Sequence, residues 1–233
     1  MKSIKIMSCI LAAGMLFTSC NMSNTGKGAL IGGGSGAAVG AGLGAIFGKG
    51  KGAAIGAAVG TTAGALIGKK MDKAAEQAKQ VEGAQVEQVT DNNGLQAVKV
   101  TFDSGILFST SSSNLSSSAK SSLSKFANDV LNQNRDMDVT IYGYTDNQGW
   151  KNSTAEQSYQ KNLNLSQERA QSVASYLLAC GVSTNQIKSV QGMGEANPIA
   201  DNFTAAGRQE NRRVEIYLYA SQQMIQQAEA GTL

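Results

Sequence analysis

Residues 137–182, MDVTIYGYTDNQGWKNSTAEQSYQKNLNLSQERAQSVASYLLACGV, decide the fold. MDVTIYGYT (137–145) predicts a strand, and the stretch from about 155 to 179 predicts a helix closed by Gly181. On that helix Asn162, Ser166 and Arg169 are spaced four and three apart and so share one polar stripe. Leu165, Val173 and Leu177 lie on the neighbouring apolar face.

Outward from this unit the pattern continues. Leu115, Ala119, Leu123, Phe126, Ala127 and Val130 recur at helical spacing, which predicts an amphipathic helix. Alternating apolar and polar residues flank Asn93-Gly94, predicting a hairpin with strands near 85–90 and 96–102. ILF (106–108) reads as a further short strand, IKSVQG (187–192) as another, and RRVEIYLY (212–219) as the last. Strands separated by helices make an α+β domain over 95–220, large enough to bury its own core. MDKAAEQAKQ (71–80) reads as a short helix stopped by Gly83, so 71–94 is a helical linker running into the hairpin, and 221–233 is a polar tail.

The amino-terminal quarter follows different rules. Lys2 and Lys5 precede an apolar run of about a dozen residues, the layout of a secretory signal over residues 1–19. Its loss lowers the formal charge from +3 to +1, which leaves no global field for nucleic acid. From Gly28 to Gly68 glycine occupies every fourth position, and GKGALIGGGSG (26–36) is echoed by GKGAAIGAAVG (50–60). At that spacing the glycines form a side-chain-free groove along a helix, so two helices can pack backbone to backbone. Residues 26–70 therefore read as an antiparallel hairpin, with Lys27, Lys49, Lys51, Lys69 and Lys70 only at its ends. Each arm is long enough to cross or nearly cross a hydrocarbon core of about 30 Å. A soluble Gly/Ala hairpin or a flexible linker is the competing reading.

The chain contains no histidine, which excludes Ser-His-Asp and Cys-His catalysis and His-containing metal sites. No carboxylate pair or metal-spaced cluster stands out, so the chain is expected not to be an enzyme and to carry no cofactor or catalytic residue. The strand end with Asp146 and the helix with Arg169 are expected to pack together, placing a carboxylate and a guanidinium at one pocket suited to a zwitterion. Spacing alone does not separate this from an Asp146 that merely turns the chain and an Arg169 that is solvated or ion-paired.

Four ordered blocks, YGYTDNQG, NLNLSQERAQSVASYLLACGV, IKSVQGMGEANPIADN and GRQENRRVEIYL, resemble the OmpA-like peptidoglycan-binding domain. Phe17-Thr18-Ser19-Cys20 looks like a bacterial lipobox, although Phe17 departs from the usual Leu. With the glycine zipper, the whole chain resembles the YiaD type of OmpA-like lipoprotein. The resemblance implies a mixed sheet with helices packed on one face, in the order β-α-β-α-β-β, preceded by the glycine-zipper hairpin.

It also implies an acylated (palmitate-type) Cys20, an outer-membrane location with the carboxy-terminal domain in the periplasm, and non-covalent binding of the diaminopimelate of peptidoglycan. Asp146 matches the residue that takes the ligand ammonium and Arg169 the one that takes its carboxylate, with Asn162, Tyr144 and Thr145 beside them. Gly207, Arg208, Asn211, Arg212 and Arg213 match a block in which fold support and ligand contact remain equal alternatives; Asn211 and Arg212 are carried as ligand residues. The implied partners are peptidoglycan and outer-membrane lipid, with self-association through the zipper and no nucleic acid. The implied function is to tether envelope to wall, against the alternative of a zipper oligomer that forms a membrane pore. Asp146 and Arg169 lie 23 positions apart, further than in the family, with WKNSTAEQS the added stretch. That stretch is expected to lid the pocket, lengthen the helix or displace Asp146.

Overall fold

The computed structural model describes residues 61–90 and 96–233. The signal segment, Cys20, most of the glycine-zipper hairpin and the Asn93-Gly94 turn lie outside them. Helix α1 (Thr61–Lys79) precedes strands β1 (Ala84–Thr90) and β2 (Gln96–Asp103). A single turn, α2 (Ser104–Leu107), leads to α3 (Ser117–Phe126), which runs on through a wider π turn over Ala127–Leu131. Then come β3 (Met137–Gly143), α4 (Ala155–Ala179), β4 (Ile187–Gly192), α5 (Ala205–Asn211), β5 (Arg213–Ala220) and α6 (Gln222–Glu229).

The strands form one sheet in the order β1-β2-β5-β3-β4. β3 and β4 are parallel and every other pair is antiparallel. This is the expected α+β architecture with a mixed sheet. Period-two alternation divides its faces. Val98, Val100, Phe102, Val139, Ile141, Val214, Ile216 and Leu218 join the helices in the main core. Tyr142, Tyr217 and Tyr219 cluster with Ala97 and Tyr144 in a second group.

Local chemistry explains the long helix. Thr154 caps α4 by accepting from the Gln157 amide, and the Gln157 side chain accepts from the Thr154 amide, a reciprocal capping box. At the other end Gly181 takes a φ of +87°, which a side-chain-free residue adopts without strain. α4 presses on the sheet so closely that a Cβ at Gly143 would stand 2.2 Å from the Ser166 carbonyl oxygen. One at Gly192 would stand 2.2 Å from the Gln167 amide nitrogen. Glycine at both positions lets the helix backbone rest on β3 and β4.

Three stretches differ from the sequence expectation. The linker helix is part of the body: α1 begins at Thr61, and Met71, Ala74, Ala75 and Ala78 are fully buried. Its first three turns, where the last zipper glycines stand, also pack, with Ala63 and Ile67 buried and Lys70 paired to Asp136. The expected polar tail contains α6, capped by Ser221, which buries Met224, Ile225 and Ala228 alongside α1. Small and amphipathic residues at helical spacing gave both segments a polar composition while leaving one stripe able to pack. Finally, 106–108 is no strand. Asp103 caps α2 through the Gly105 amide, and only Phe108 makes an isolated bridge, to Leu115. No helix among the described residues is long and apolar enough to cross a membrane.

Candidate functional site

The carboxyl end of β3 and the amino-terminal half of α4 enclose a cleft of about 350 Å³. The loop after β3 contributes Thr145, Asp146, Gln148, Trp150 and Lys151, and α4 contributes Asn162, Leu165 and Arg169. Thr110 and Ser111 close one side and Arg212, just ahead of β5, another. Thr145, Asp146, Asn162, Arg169 and Arg212, drawn from three parts of the sequence, thus share one site. Residues 155–158 of the WKNSTAEQS stretch form the first turn of α4, Trp150 lines the cleft, and Asp146 lines it together with Arg169.

Each charged group has a defined setting. Asp146 is buried; one carboxylate oxygen accepts from the Gln148 amide at 3.1 Å and the other from Arg212. Arg212 is braced in turn by Gln209, which donates to both Asp103 carboxylate oxygens at 2.6 and 2.7 Å. A carboxylate offers about four acceptor directions, so Asp146 retains capacity for a further donor.

Arg169 is only 4% exposed, yet no carboxylate among the described residues lies within ion-pair distance of it. Its Nε donates to the Ser112 carbonyl at 3.0 Å, and its guanidinium stands 5.2 Å from the centre of the Phe108 ring. Burial lowers its pKa, Arg212 pushes in the same direction, and Asp146 opposes them. A buried cation short of a counter-charge is costly, and a ligand carboxylate would relieve that cost. The Thr145 hydroxyl is also buried without a hydrogen-bond partner among the described residues. With Lys151, Arg169 and Arg212 against Asp146, the lining suits a zwitterion or a net anion.

The other expected ligand residues sit elsewhere. Tyr144 is buried in the tyrosine cluster, its ring 3.8 Å from the Arg213 guanidinium. Asn211 is fully buried and fastens the preceding loop: it accepts from the amides of Ile199 and Ala200 and donates to the Ala200 carbonyl and the Asn202 side chain. These four bonds saturate its amide, so neither residue lines the cleft. Gly207 admits the Asp201 carbonyl 2.1 Å from where a Cβ would stand, and Arg208 ties the carbonyls of Asn202 and Phe203. Arg213 bonds Glu215 at 2.7 Å within the sheet. Of that block Arg212 alone lines the cleft.

Sequence reasoning missed the Arg212–Asp146 pair and the contribution of Thr110, Ser111 and the Ser112 carbonyl. The serine-rich run 109–113 carries no periodicity and Arg212 lies 66 positions from Asp146, so neither gave a signal.

Residues 107–212 match the OmpA family model and form an OmpA-like domain. Residues 1–72 match the model of the YMGG-like Gly-zipper. The probable lipoprotein YiaD of Escherichia coli is 43% identical over 119 residues, covering 51% of this chain and 47% of that protein. The peptidoglycan-binding protein ArfA of Mycobacterium tuberculosis is 49% identical over 88 residues, 38% of this chain and 24% of that one. The outer-membrane lipoprotein YfiB of Pseudomonas aeruginosa is 38% identical over 117 residues, 50% and 64% respectively. The chain thus spans less than two thirds of each of these relatives. Among solved structures, a putative MotB-like protein from Desulfovibrio vulgaris superposes with a TM-score of 0.55 at 23% identity, covering 66% of this chain and 93% of that one. At that identity it speaks to the fold.

Proposed function

We propose that this protein binds peptidoglycan non-covalently and tethers the envelope to the wall. The observation that carries the reading is a buried Arg169 that, among the described residues, has no ion-pair partner, sharing a cleft with Asp146 and a Thr145 hydroxyl that finds no partner among them either. A ligand bearing an ammonium and a carboxylate on one short stem would satisfy both ends, and the side chain of diaminopimelate has that chemistry. The peptidoglycan-binding description of ArfA and the lipoprotein descriptions of YiaD and YfiB support the same reading.

In this reading Cys20 carries lipid in the outer membrane, the domain lies in the periplasm, and the two anchors act as a bivalent link whose strength depends on the reach between them. The zipper supplies helix packing or self-association at the membrane. ArfA is described as a peptidoglycan-binding protein, and the role proposed here is likewise binding. A zipper pore rests wholly on residues outside the described ones, and nothing in the cleft favours it.

The test is co-sedimentation of the full chain, in detergent, with purified diaminopimelate-type sacculi. Wild-type protein is expected in the pellet, and folded Asp146→Ala and Arg169→Ala proteins in the supernatant. Wild-type protein left in the supernatant would sink the reading.

A further inference from the structure

Trp150 is the only tryptophan in the chain and lies in the stretch that lengthens the interval between Asp146 and Arg169. Its placement is over-determined. Its backbone amide donates to the Ser158 hydroxyl at 3.0 Å, its carbonyl accepts from the Ser153 amide at 3.2 Å, and its indole N–H donates to the Asn162 side-chain oxygen at 2.7 Å. The Lys161 ammonium stands over the ring, 5.8 Å from its centre, and is itself held by the Ser153 hydroxyl at 2.9 Å. The indole N–H is used within the protein, so the ring offers the cleft hydrocarbon and no donor.

Asn162, buried to 4%, is committed to the same loop. Besides accepting from the indole, its amide donates to the Gln148 carbonyl at 3.1 Å and, at 3.5 Å, to that of Asp146. Both amide hydrogens are thereby used, which leaves Asn162 no donor for a ligand. Asn162 thereby holds the loop from Asp146 to Trp150 at three points, alongside the anchors that Ser158 and Arg212 supply.

We infer that Trp150 is an affinity-determining apolar wall of the cleft, packing its ring against the methylene stem that joins the ligand's zwitterionic end to its peptide. Asn162 is its positioning residue. The inference rests on the reading of the cleft as a zwitterion clamp. Asp146 and Arg169 grip the ammonium and carboxylate at the charged end of such a ligand, and the methylenes behind that end need an apolar wall; Leu165 and Trp150 are the large apolar side chains that line the cleft. A ring already fixed by its surroundings loses little freedom when it packs, so the contact converts efficiently into affinity. A lysine-type stem has the ammonium and the methylenes but no terminal carboxylate, so it leaves Arg169 unsatisfied even with the ring in contact.

Tryptophan emission of the full chain, titrated with a soluble diaminopimelate-containing muramyl tripeptide, reports on this wall directly. The expected result is a saturable change in emission, and a much weaker response to the lysine-containing tripeptide. In isothermal titration calorimetry, which needs no tryptophan, Trp150→Ala should bind the tripeptide about tenfold more weakly, the effect of losing one to two buried methylene contacts. Asn162→Ala should lose as much, and the double variant no more than either. Trp150→Phe, which keeps a ring without the N–H, should fall between wild type and Trp150→Ala.

Unchanged emission together with wild-type affinity in Trp150→Ala, while wild-type protein still pellets with sacculi, would overturn the inference and leave the clamp standing. Additive losses would place Asn162 on the ligand itself and overturn its positioning role. A wild-type protein that binds neither tripeptide nor sacculi would overturn both the inference and the clamp beneath it.

Discussion

The two halves of helix α4 carry one buried stripe with two opposite contents. From the start of the helix through Arg169 it holds Ser158, Asn162, Ser166 and Arg169; from Ala170 onward it holds Ala170, Val173, Ala174 and Leu177. The spacing is continuous and the helix unbroken, yet one half builds a polar cleft and the other the hydrophobic core. Burial by itself therefore does not distinguish a packing position from a binding position on this helix. What distinguishes them is whether a buried polar group finds its partners inside the protein. Ser166 does, accepting from the Gly194 amide at 2.8 Å and donating to the Leu163 carbonyl at 2.7 Å, and Asn162 does through the Trp150 loop. Arg169 does so only in part, since among the described residues Nε alone of its nitrogens finds a hydrogen-bond acceptor.

The contrast is broken most severely from outside α4. Removing residues 1–81 strips α1, and with it the fully buried Met71, Ala74, Ala75 and Ala78, from β1, β2 and α6. A melting curve of residues 82–233 is expected to lose its cooperative transition, whereas residues 61–233 keep it. An unaltered melt for the shorter chain would return α1 to the status of a linker.

Within the helix, Leu177→Ala should lower stability by about 2–5 kcal/mol in urea denaturation and leave the sacculus affinity of the folded fraction intact. Arg169→Ala should do the reverse. Binding falls about thirtyfold or more, the effect of a charge-assisted pair of roughly 2 kcal/mol, while stability shifts by less than about 1 kcal/mol. If both variants lose stability and binding alike, the two halves are not functionally distinct.

Ser166→Ala sits between these cases. The Gly194 amide would lose its acceptor, at a cost of about 1–2 kcal/mol. Because the Gly194 carbonyl accepts from the Thr145 amide at 2.8 Å, sacculus binding should weaken by a few-fold as the strand end loosens.

The smallest effect lies on β3, outside the helix. Burial raises the pKa of Asp138, and Lys188, 3.5 Å away, opposes it incompletely. A carboxyl with a raised folded-state pKa stabilises the fold most below its unfolded value, and that contribution fades as pH rises through the folded value. Asp138→Asn should accordingly raise the melting temperature slightly at pH 7 and give no gain below about pH 3.8.

Much of this was legible in the chain. The strand within 137–145 just ahead of Asp146, the helix over 155–179, its Gly181 stop and the mixed α+β order follow from periodicity and cap chemistry, which act over a few residues. The cleft was legible in part, because Asp146, Asn162 and Arg169 share one helix face or the strand end beside it. Arg212 came only through family resemblance, and Tyr144 and Asn211 came with it although they support the fold and do not line the cleft. Residue type marks a polar group as worth noticing but does not say whether its partners are internal.

By itself the sequence determined which segments could be helices or strands, the glycine repeat, and the two opposite charges near one strand end. These depend on local sterics and on patterns of period two or near four. Tertiary structure alone decided that α1 and α6 belong to the core, that Trp150 turns back into the cleft, and that Arg212 pairs with Asp146 while Arg169 finds no carboxylate among the described residues. Those outcomes depend on which surfaces meet across tens of residues. A buried alanine and a solvated one, or a paired arginine and an unpaired one, look the same along the chain.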